Sequence, residues 1–337
     1  MISVHPSTVT QVPTLSVPSR LLFLQSADVL EKQKGQVIAF LKEALPEASI
    51  SFASSVSMVP QDAEFDVVIT PTLPWLPQAL TRLTDYRWIH FLSAGVEKIW
   101  EMDFDKTRPL MTKSSGVHGA PMSEYAIGAM LYFTKQLGRF HDQSRRAEWQ
   151  RGWLEELTGK QLTVLGLGNI GLSLARRAKA FDMEVAGTMR HLRPVEEVDR
   201  VVPMEEIGYE LARTDFLVCC LPLTEATRGL VDDDLLGNLK PGAVLIDISR
   251  GGVVQGGAVL NALNTGILKG AALDVFEQQP LPPESPLWKR EDVLITPHVS
   301  GTTPYYLERA LGVLVANLQA HAVGAPLVTP VNVERGY

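Results

Sequence analysis

The run Leu162-Thr-Val-Leu-Gly166-Leu-Gly168-Asn169-Ile170-Gly171 constrains the fold more than any other segment of the chain. Leu162–Leu165 reads as a short buried strand, and residues 169–180 read as a helix that starts directly after the glycines. Each glycine has its own physical task at such a junction. Gly166 permits the tight turn, Gly168 lets the backbone approach a pyrophosphate, and Gly171 lets the helix pack closely on the strand. The helix start adds unpaired N–H groups and a partial positive charge. Set between a strand and a helix, the string points to a bound dinucleotide rather than to a structural turn.

The next strand ends in Gly187-Thr-Met-Arg190-His191-Leu-Arg193. A carboxylate at this tip would hold the ribose hydroxyls of NAD and repel a 2′-phosphate, whereas a guanidinium grips the phosphate. No acid is present, and Arg190, His191 and Arg193 crowd the position. NADP is the expected cofactor, with NAD left open.

With 337 residues, the chain is too long for one ordinary core, and two domains are expected. From Arg20 onward, short β-branched runs alternate with helical stretches, the rhythm of a parallel sheet covered by helices. The first series has strand candidates at Leu21–Leu24, Ile50–Phe52, Val67–Thr70, Trp88–Leu92 and Leu110–Thr112, with helices at 27–44 and 76–83. Apolar spacing predicts one long helix over 122–140, and a charged, Trp-rich segment follows at 141–157. The second series has strands at Leu162–Leu165, Glu184–Gly187, Phe216–Leu221, Val244–Ile248, Gly270–Leu273 and Val293–Ile295. Helices fall at 169–180 and 257–265, and a last one at 303–323 returns to the first domain. The expected division is therefore a discontinuous substrate domain over 18–120 and 302–337, a dinucleotide-binding domain over 121–301, and an extension over 1–17. Each domain is read as a doubly wound α/β unit of Rossmann or flavodoxin type, with a cleft between the two.

The net charge of −7 argues against general nucleic-acid binding, which needs a basic surface. No apolar run has membrane-spanning length, and residues 1–17 lack the basic start and apolar block of a secretory signal. Cys219 and Cys220 are adjacent on a strand, so they point to opposite faces and are poorly placed to bond each other. They read as buried hydrophobes in a reducing compartment. No cysteine–histidine cluster has metal-ligand spacing.

Three polar groups follow otherwise apolar strands in the second series. Arg250 leaves Leu245-Ile-Asp-Ile-Ser-Arg250 into a Gly-Gly turn, where it is suited to grip a carboxylate. Asp274 lies in Leu273-Asp274-Val-Phe-Glu277-Gln278-Gln279-Pro280, and His298 in Ile295-Thr-Pro-His298-Val-Ser-Gly301. All three leave the same edge of one sheet, the edge where open parallel sheets bind ligands.

Taken together, VLGLGNIG, CLPLT, LIDISRGGVV, GAALDVFEQQPLP and ITPHVSG resemble the D-isomer-specific 2-hydroxyacid dehydrogenases, over nearly the whole chain from about residue 20. The resemblance implies an NAD(P)-dependent enzyme that moves hydride between nicotinamide and a small 2-oxo or 2-hydroxy acid, of the glyoxylate/hydroxypyruvate reductase kind. It also implies a homodimer, and the reducing compartment read from the cysteines makes a cytoplasmic location the expectation. It assigns Arg250 to the substrate's carboxylate and carbonyl, and His298 to proton transfer. It assigns the Ala94 and Gly95 amides of the Ser93–Val96 loop to the carboxylate, and Asp274 to the nicotinamide carboxamide. Pro222, Thr227 and Gly301 fall where the family contacts cofactor. Trp149, Trp153 and Trp288 are candidates to line a pocket, one of them across a dimer interface, or plain packing residues. The family acid that pairs with the histidine is replaced here by Gln279, and Glu277 is a weaker candidate for that role. Formate dehydrogenases share the glutamine, which brings formate oxidation into view, but the Asn that holds formate is missing from Ser115–Met122. A second alternative is a dinucleotide-sensing regulator resembling the C-terminal-binding-protein corepressors.

Overall fold

The computed structural model describes residues 18–333, so the expected extension over 1–17 lies outside the described residues. The chain divides into two compact units. One holds the described residues up to Val117 and those from Pro304 on, and the other spans His118–Thr303.

The first unit is a five-stranded parallel sheet: β1 (Arg20–Leu24), β2 (Ser49–Ala53), β3 (Ala63–Thr70), β4 (Leu83–Phe91) and β5 (Leu110–Lys113), in the order β2-β1-β3-β4-β5. That is the flavodoxin-like order. Its helices are α1 (Ala27–Ala44), α2 (Leu76–Leu80) and, after the second unit, α9 (Tyr306–Ala322). The strand residues alternate between two apolar layers. Leu21, Phe23, Val67, Ile69 and Trp88 join α1 and α9 on one face, while Leu22, Leu24, Val68, Ile89 and Phe91 join α2 on the other. Burial on both faces explains why these strands read as continuous hydrophobic runs, and each fully buried Trp or Phe contributes on the order of 2–3 kcal/mol.

The second unit has seven parallel strands: β6 (Gln161–Leu165), β7 (Glu184–Thr188), β8 (Arg200–Val202), β9 (Phe216–Cys219), β10 (Ala243–Asp247), β11 (Leu268–Leu273) and β12 (Val293–Ile295). Their order, β12-β11-β10-β9-β6-β7-β8, is the Rossmann order with one strand added. The strand order reverses beside β6, so the crevice at the carboxyl ends of β6 and β9 is the ligand position. The helices are α3 (Gly119–Thr134), α4 (Leu137–Arg145), α5 (Asn169–Lys179), α6 (Gly208–Leu211), α7 (Asp233–Gly237) and α8 (Gly256–Asn264). Cys219 packs into one apolar layer and Cys220 against the other, and both are free thiols, as neighbours on a strand should be.

Three element expectations need correction. The helix expected over 122–140 is two helices, because Gln136 takes a left-handed backbone (φ 49°) between them. The Glu155 amide returns to donate to Thr134 O at 3.1 Å, satisfying a carbonyl that a continuous helix would have used. The helix expected over 76–83 stops at Leu80, and β4 begins at Leu83. Strand β8 was not expected: it has three half-buried residues flanked by Asp199 and Pro203, and only two of them, Val201 and Val202, are apolar. The segment 146–156 forms no helix or strand, and Trp149 and Trp153 are 95% and 97% exposed. Among the described residues no helix is long and apolar enough to cross a membrane.

Candidate active site

At the end of β6 the chain turns through Gly166, whose φ of +100° disfavours any L side chain. An added Cβ at Gly171 would lie 2.3 Å from Gly166 O and 3.1 Å from Val164 Cγ1, so only glycine allows α5 to sit this close to β6. Gly168 differs: a Cβ there would meet nothing within 4 Å. Gly168 caps α5 without any side-chain bond, and Gly168 and Asn169 are exposed while Ile170 is half-buried. The amides of the first turn thus face open space above a glycine, a cradle that fits the pyrophosphate of a dinucleotide. Thr188, at the end of β7, holds the loop in place: its hydroxyl accepts from Gly166 N at 3.1 Å and its carbonyl from Leu167 N at 2.7 Å. Just beyond it Arg190, His191 and Arg193 are all exposed. After β9, Thr227 Oγ1 donates to Pro222 O at 2.6 Å, closing a turn at the same sheet edge.

Strands β10, β11 and β12 are neighbours, so the residues that follow them leave the sheet side by side. Arg250, half-buried, donates from Nη1 to Ser249 O at 2.8 Å. Gly251 and Gly252 are needed behind it: a Cβ on Gly251 would lie 1.8 Å from Phe276 O, and Gly252 has φ +94°. His298 is exposed and itself adopts a left-handed backbone, φ 55°. What holds it there is Asp274, fully buried after β11. The His298 amide donates to Asp274 O at 2.9 Å. The Asp274 carboxylate accepts from Thr296 Oγ1 (2.6 Å), Val299 N (2.8 Å) and Ser300 N (2.9 Å). Thr296 Oγ1 in turn lies 2.7 Å from Tyr125 OH on α3. Since Thr296 donates its proton to Asp274, Tyr125 is the donor to Thr296. Burial raises the Tyr125 phenol above its ordinary pKa, which keeps that donor protonated. Gly301 closes the turn, with its carbonyl 3.3 Å from His118 Nδ1.

His298 Nδ1 lies 3.0 Å from Gln279 Oε1, and Gln279 Nε2 donates to Phe276 O at 3.0 Å. The second bond fixes the amide orientation, so Oε1 must accept and Nδ1 carries the proton. Nε2 is then the nitrogen left to exchange a proton with a ligand. Glu277 is exposed and makes no hydrogen bond to His298. Trp288 is half-exposed, its indole N–H donating to Pro282 O at 2.9 Å. In the first unit, the Ser93–Val96 loop follows β4, and the amides of Ala94 and Gly95 have no protein acceptor among the described residues. Tyr306 donates to Leu92 O at the base of this loop.

Sequence reasoning passed over Asp247, Ser249, Thr296 and Tyr125. Asp247 was legible in principle, as a carboxylate inside an apolar strand. The other three are ordinary hydroxyl residues whose roles depend on partners brought close by folding. No group of three or more metal-ligating side chains is found among the described residues.

A parallel sheet in Rossmann order, a glycine cradle and a guanidinium–imidazole pair at one sheet edge define a nicotinamide-dependent dehydrogenase. Residues 127–300 match the family profile described as "D-isomer specific 2-hydroxyacid dehydrogenase, NAD binding domain". The chain is 33% identical over 261 residues to a glyoxylate/hydroxypyruvate reductase A of Arabidopsis thaliana, covering 75% of this chain and 81% of that protein. It is 32% identical to a glyoxylate/hydroxypyruvate reductase A of Salmonella typhimurium, covering 74% and 81%. Among solved structures, it resembles an NADPH-dependent glyoxylate/hydroxypyruvate reductase from Sinorhizobium meliloti in complex with NADP and sulfate. The TM-score is 0.78 at 26% identity, over 95% of this chain and 100% of that one. A D-isomer specific 2-hydroxyacid dehydrogenase from Xanthobacter autotrophicus in complex with NADPH and MES gives 0.81 at 27%, over 95% and 100%. The chain belongs to the D-isomer-specific 2-hydroxyacid dehydrogenase family, and is an NAD(P)-dependent oxidoreductase.

Proposed function

We propose that the protein is an NADPH-dependent reductase of small 2-oxo acids such as glyoxylate and hydroxypyruvate. The observation that carries this reading is the placement of Arg250 and His298 at the carboxyl ends of β10 and β12, in the sheet that bears the glycine cradle. Gly166, Gly168 and Gly171, with the Asn169 and Ile170 amides, hold the pyrophosphate, and Pro222, Thr227 and Gly301 border the cofactor. Arg190, His191 and Arg193 favour a 2′-phosphate over free ribose hydroxyls, which supports NADP over NAD. The Asp274 carboxylate uses three of about four acceptor sites on the loop that carries His298, leaving one for the carboxamide N–H2.

When bound, the reduced nicotinamide supplies a hydride to the carbonyl carbon. Arg250 releases Ser249 O, takes the substrate carboxylate, and stabilises the charge that grows on the carbonyl oxygen. His298 gives that oxygen the proton from Nε2. Gln279 holds the ring through Nδ1 and adds no charge of its own. The arrangement favours a reductase over a binding-only regulator or a formate oxidase, because both the carboxylate grip and the proton donor are present.

We also propose a homodimer. Trp149 and Trp153 are almost fully exposed, on a segment anchored at Glu155 by Lys160 at 3.0 Å and Lys269 at 2.5 Å. Two large indoles held bare on an anchored arm are suited to a partner subunit. A cytoplasmic setting suits the free thiols of Cys219 and Cys220. The test is the rate of NADPH and of NADH consumption with a panel of 2-oxo acids. Turnover of glyoxylate or hydroxypyruvate with NADPH preferred is expected, and binding of either dinucleotide without turnover of any 2-oxo acid would remove the proposal.

A further inference from the structure

Asp247 is the last residue of β10, 3% exposed, in a strand otherwise made of Ala, Val, Leu and Ile. A carboxylate is costly there unless its acceptors are used. Its Oδ1 accepts both the Ser249 amide, at 3.0 Å, and the Ser249 hydroxyl, at 2.5 Å. These two hydrogen bonds from the residue two positions on fix the chain as it leaves the sheet. Ser249 O is the carbonyl that holds the Arg250 guanidinium at 2.8 Å. The main-chain oxygen of Asp247 accepts from Asp274 N at 3.0 Å, which joins the Arg250 turn to the residue that carries the His298 loop.

We propose that Asp247 is a positioning residue for substrate binding: by holding Ser249, it sets the backbone from which Arg250 reaches the carboxylate and carbonyl of a 2-oxo acid. The inference rests on the reductase reading above. The role belongs to the oxygen acceptor and not to a negative charge. Around Asp247 stand Ser249 on its own turn, Cys219 at the end of β9 with Cys220 after it, Asp274 after β11, and Tyr125 on α3. None of these is a cation. Burial, with the Asp274 charge adding to it, pushes the Asp247 carboxyl up to about 7. A purely ionic tether would fade near neutrality, whereas Oδ1 accepts in either protonation state.

Asp247→Leu removes the acceptor and keeps the branching at Cγ with a larger side chain, and Asp247→Asn keeps an oxygen without charge. Each is assayed for steady-state reduction of glyoxylate with NADPH, and by calorimetry for oxamate, an unreactive carboxylate analogue, binding to the NADPH-loaded protein. Asp247→Leu is expected to raise KM for glyoxylate and Kd for oxamate at least tenfold, with KM for NADPH within twofold of wild type. Asp247→Asn is expected to stay within threefold throughout. Equal losses in both variants, or an unchanged oxamate Kd in folded Asp247→Leu, would overturn the inference. If Asp247→Leu does not fold, Ser249→Ala decides: a rise of three- to tenfold in both constants supports the role, and no rise overturns it. Wild-type protein that binds NADPH but neither reduces glyoxylate nor binds oxamate would instead refute the reductase reading, and the positioning role with it.

Discussion

Gly168 and Gly171, three residues apart, should respond to the same substitution in opposite ways. At Gly171 an alanine Cβ would sit 2.3 Å from Gly166 O, a backbone atom with no side-chain freedom to yield. Relief requires α5 to retreat from β6 by most of an ångström, and overpacking of this kind costs about 1–3 kcal/mol or more. At Gly168 the same methyl meets nothing within 4 Å, and the backbone (φ −88°, ψ −160°) is open to any residue. Replacing a glycine N-cap by alanine costs roughly 0.5–1 kcal/mol, and the stiffer unfolded chain returns about 0.4–1 kcal/mol, so stability should change by less than about 1 kcal/mol. The methyl would, however, fill the space assigned to the pyrophosphate. Losing two or so charge-assisted hydrogen bonds there is worth about 3 kcal/mol, or roughly a hundredfold in Kd. Urea unfolding and NADPH fluorescence titration measure the two effects separately. Gly168→Ala should unfold like wild type yet bind NADPH on the order of a hundredfold more weakly, and Gly171→Ala should lose stability. A Gly168→Ala protein with wild-type NADPH affinity would refute the assignment of the cradle.

Three further outcomes follow from the geometry. Asp247 has its carboxyl raised from 3.8 to about 7, so the folded state holds a proton that the unfolded chain releases. That contribution is complete below about pH 4 and is lost as pH climbs to about 7, in all roughly 4 kcal/mol at 1.36 kcal/mol per unit. Urea unfolding at pH 5 and pH 8 should therefore show Asp247→Asn gaining on wild type as pH rises, and a constant offset would contradict the linkage. Gln279→Glu places a carboxylate about where Oε1 now meets His298 Nδ1 at 3.0 Å; a nearby anion favours the imidazolium, so the alkaline limb of the pH–rate profile for reduction should move to higher pH. An unmoved limb would mean that Gln279 does not act through the ring. The double variant Arg190→Ala, Arg193→Ala should weaken NADPH by about tenfold or more, the scale of one charge-assisted bond, with NADH little changed. A parallel loss for both dinucleotides would contradict recognition of the 2′-phosphate.

How far the sequence could be read depended on the range of the interaction. Local patterns were legible: α1 covers the expected 27–44, and the β6–loop–α5 junction follows from glycine chemistry alone. The run of strands in each series was legible because parallel strands buried on both faces are continuous apolar runs. The break at Gln136 was not, because the apolar spacing carries on across it and the carbonyl bond that replaces the helix comes from Glu155, twenty-one residues away from Thr134. The same limit applies to the site. Arg250 and His298 stand out as polar residues after apolar strands, but Tyr125 meets Thr296 across 171 positions. No spacing rule links such a pair. Asp247 was passed over although a carboxylate inside an apolar strand is legible in principle, and only the bond to Ser249 gives it a purpose.

The most direct test uses NADPH carrying deuterium at the transferable C4 position, with hydroxypyruvate as the acceptor and the product analysed by mass spectrometry and chiral chromatography. Glycerate of the D configuration, one mass unit heavier through deuterium at C2, is the predicted product, and its formation should collapse in Arg250→Ala and in His298→Ala. Unlabelled product, the L isomer, or undiminished turnover in both variants would contradict the account.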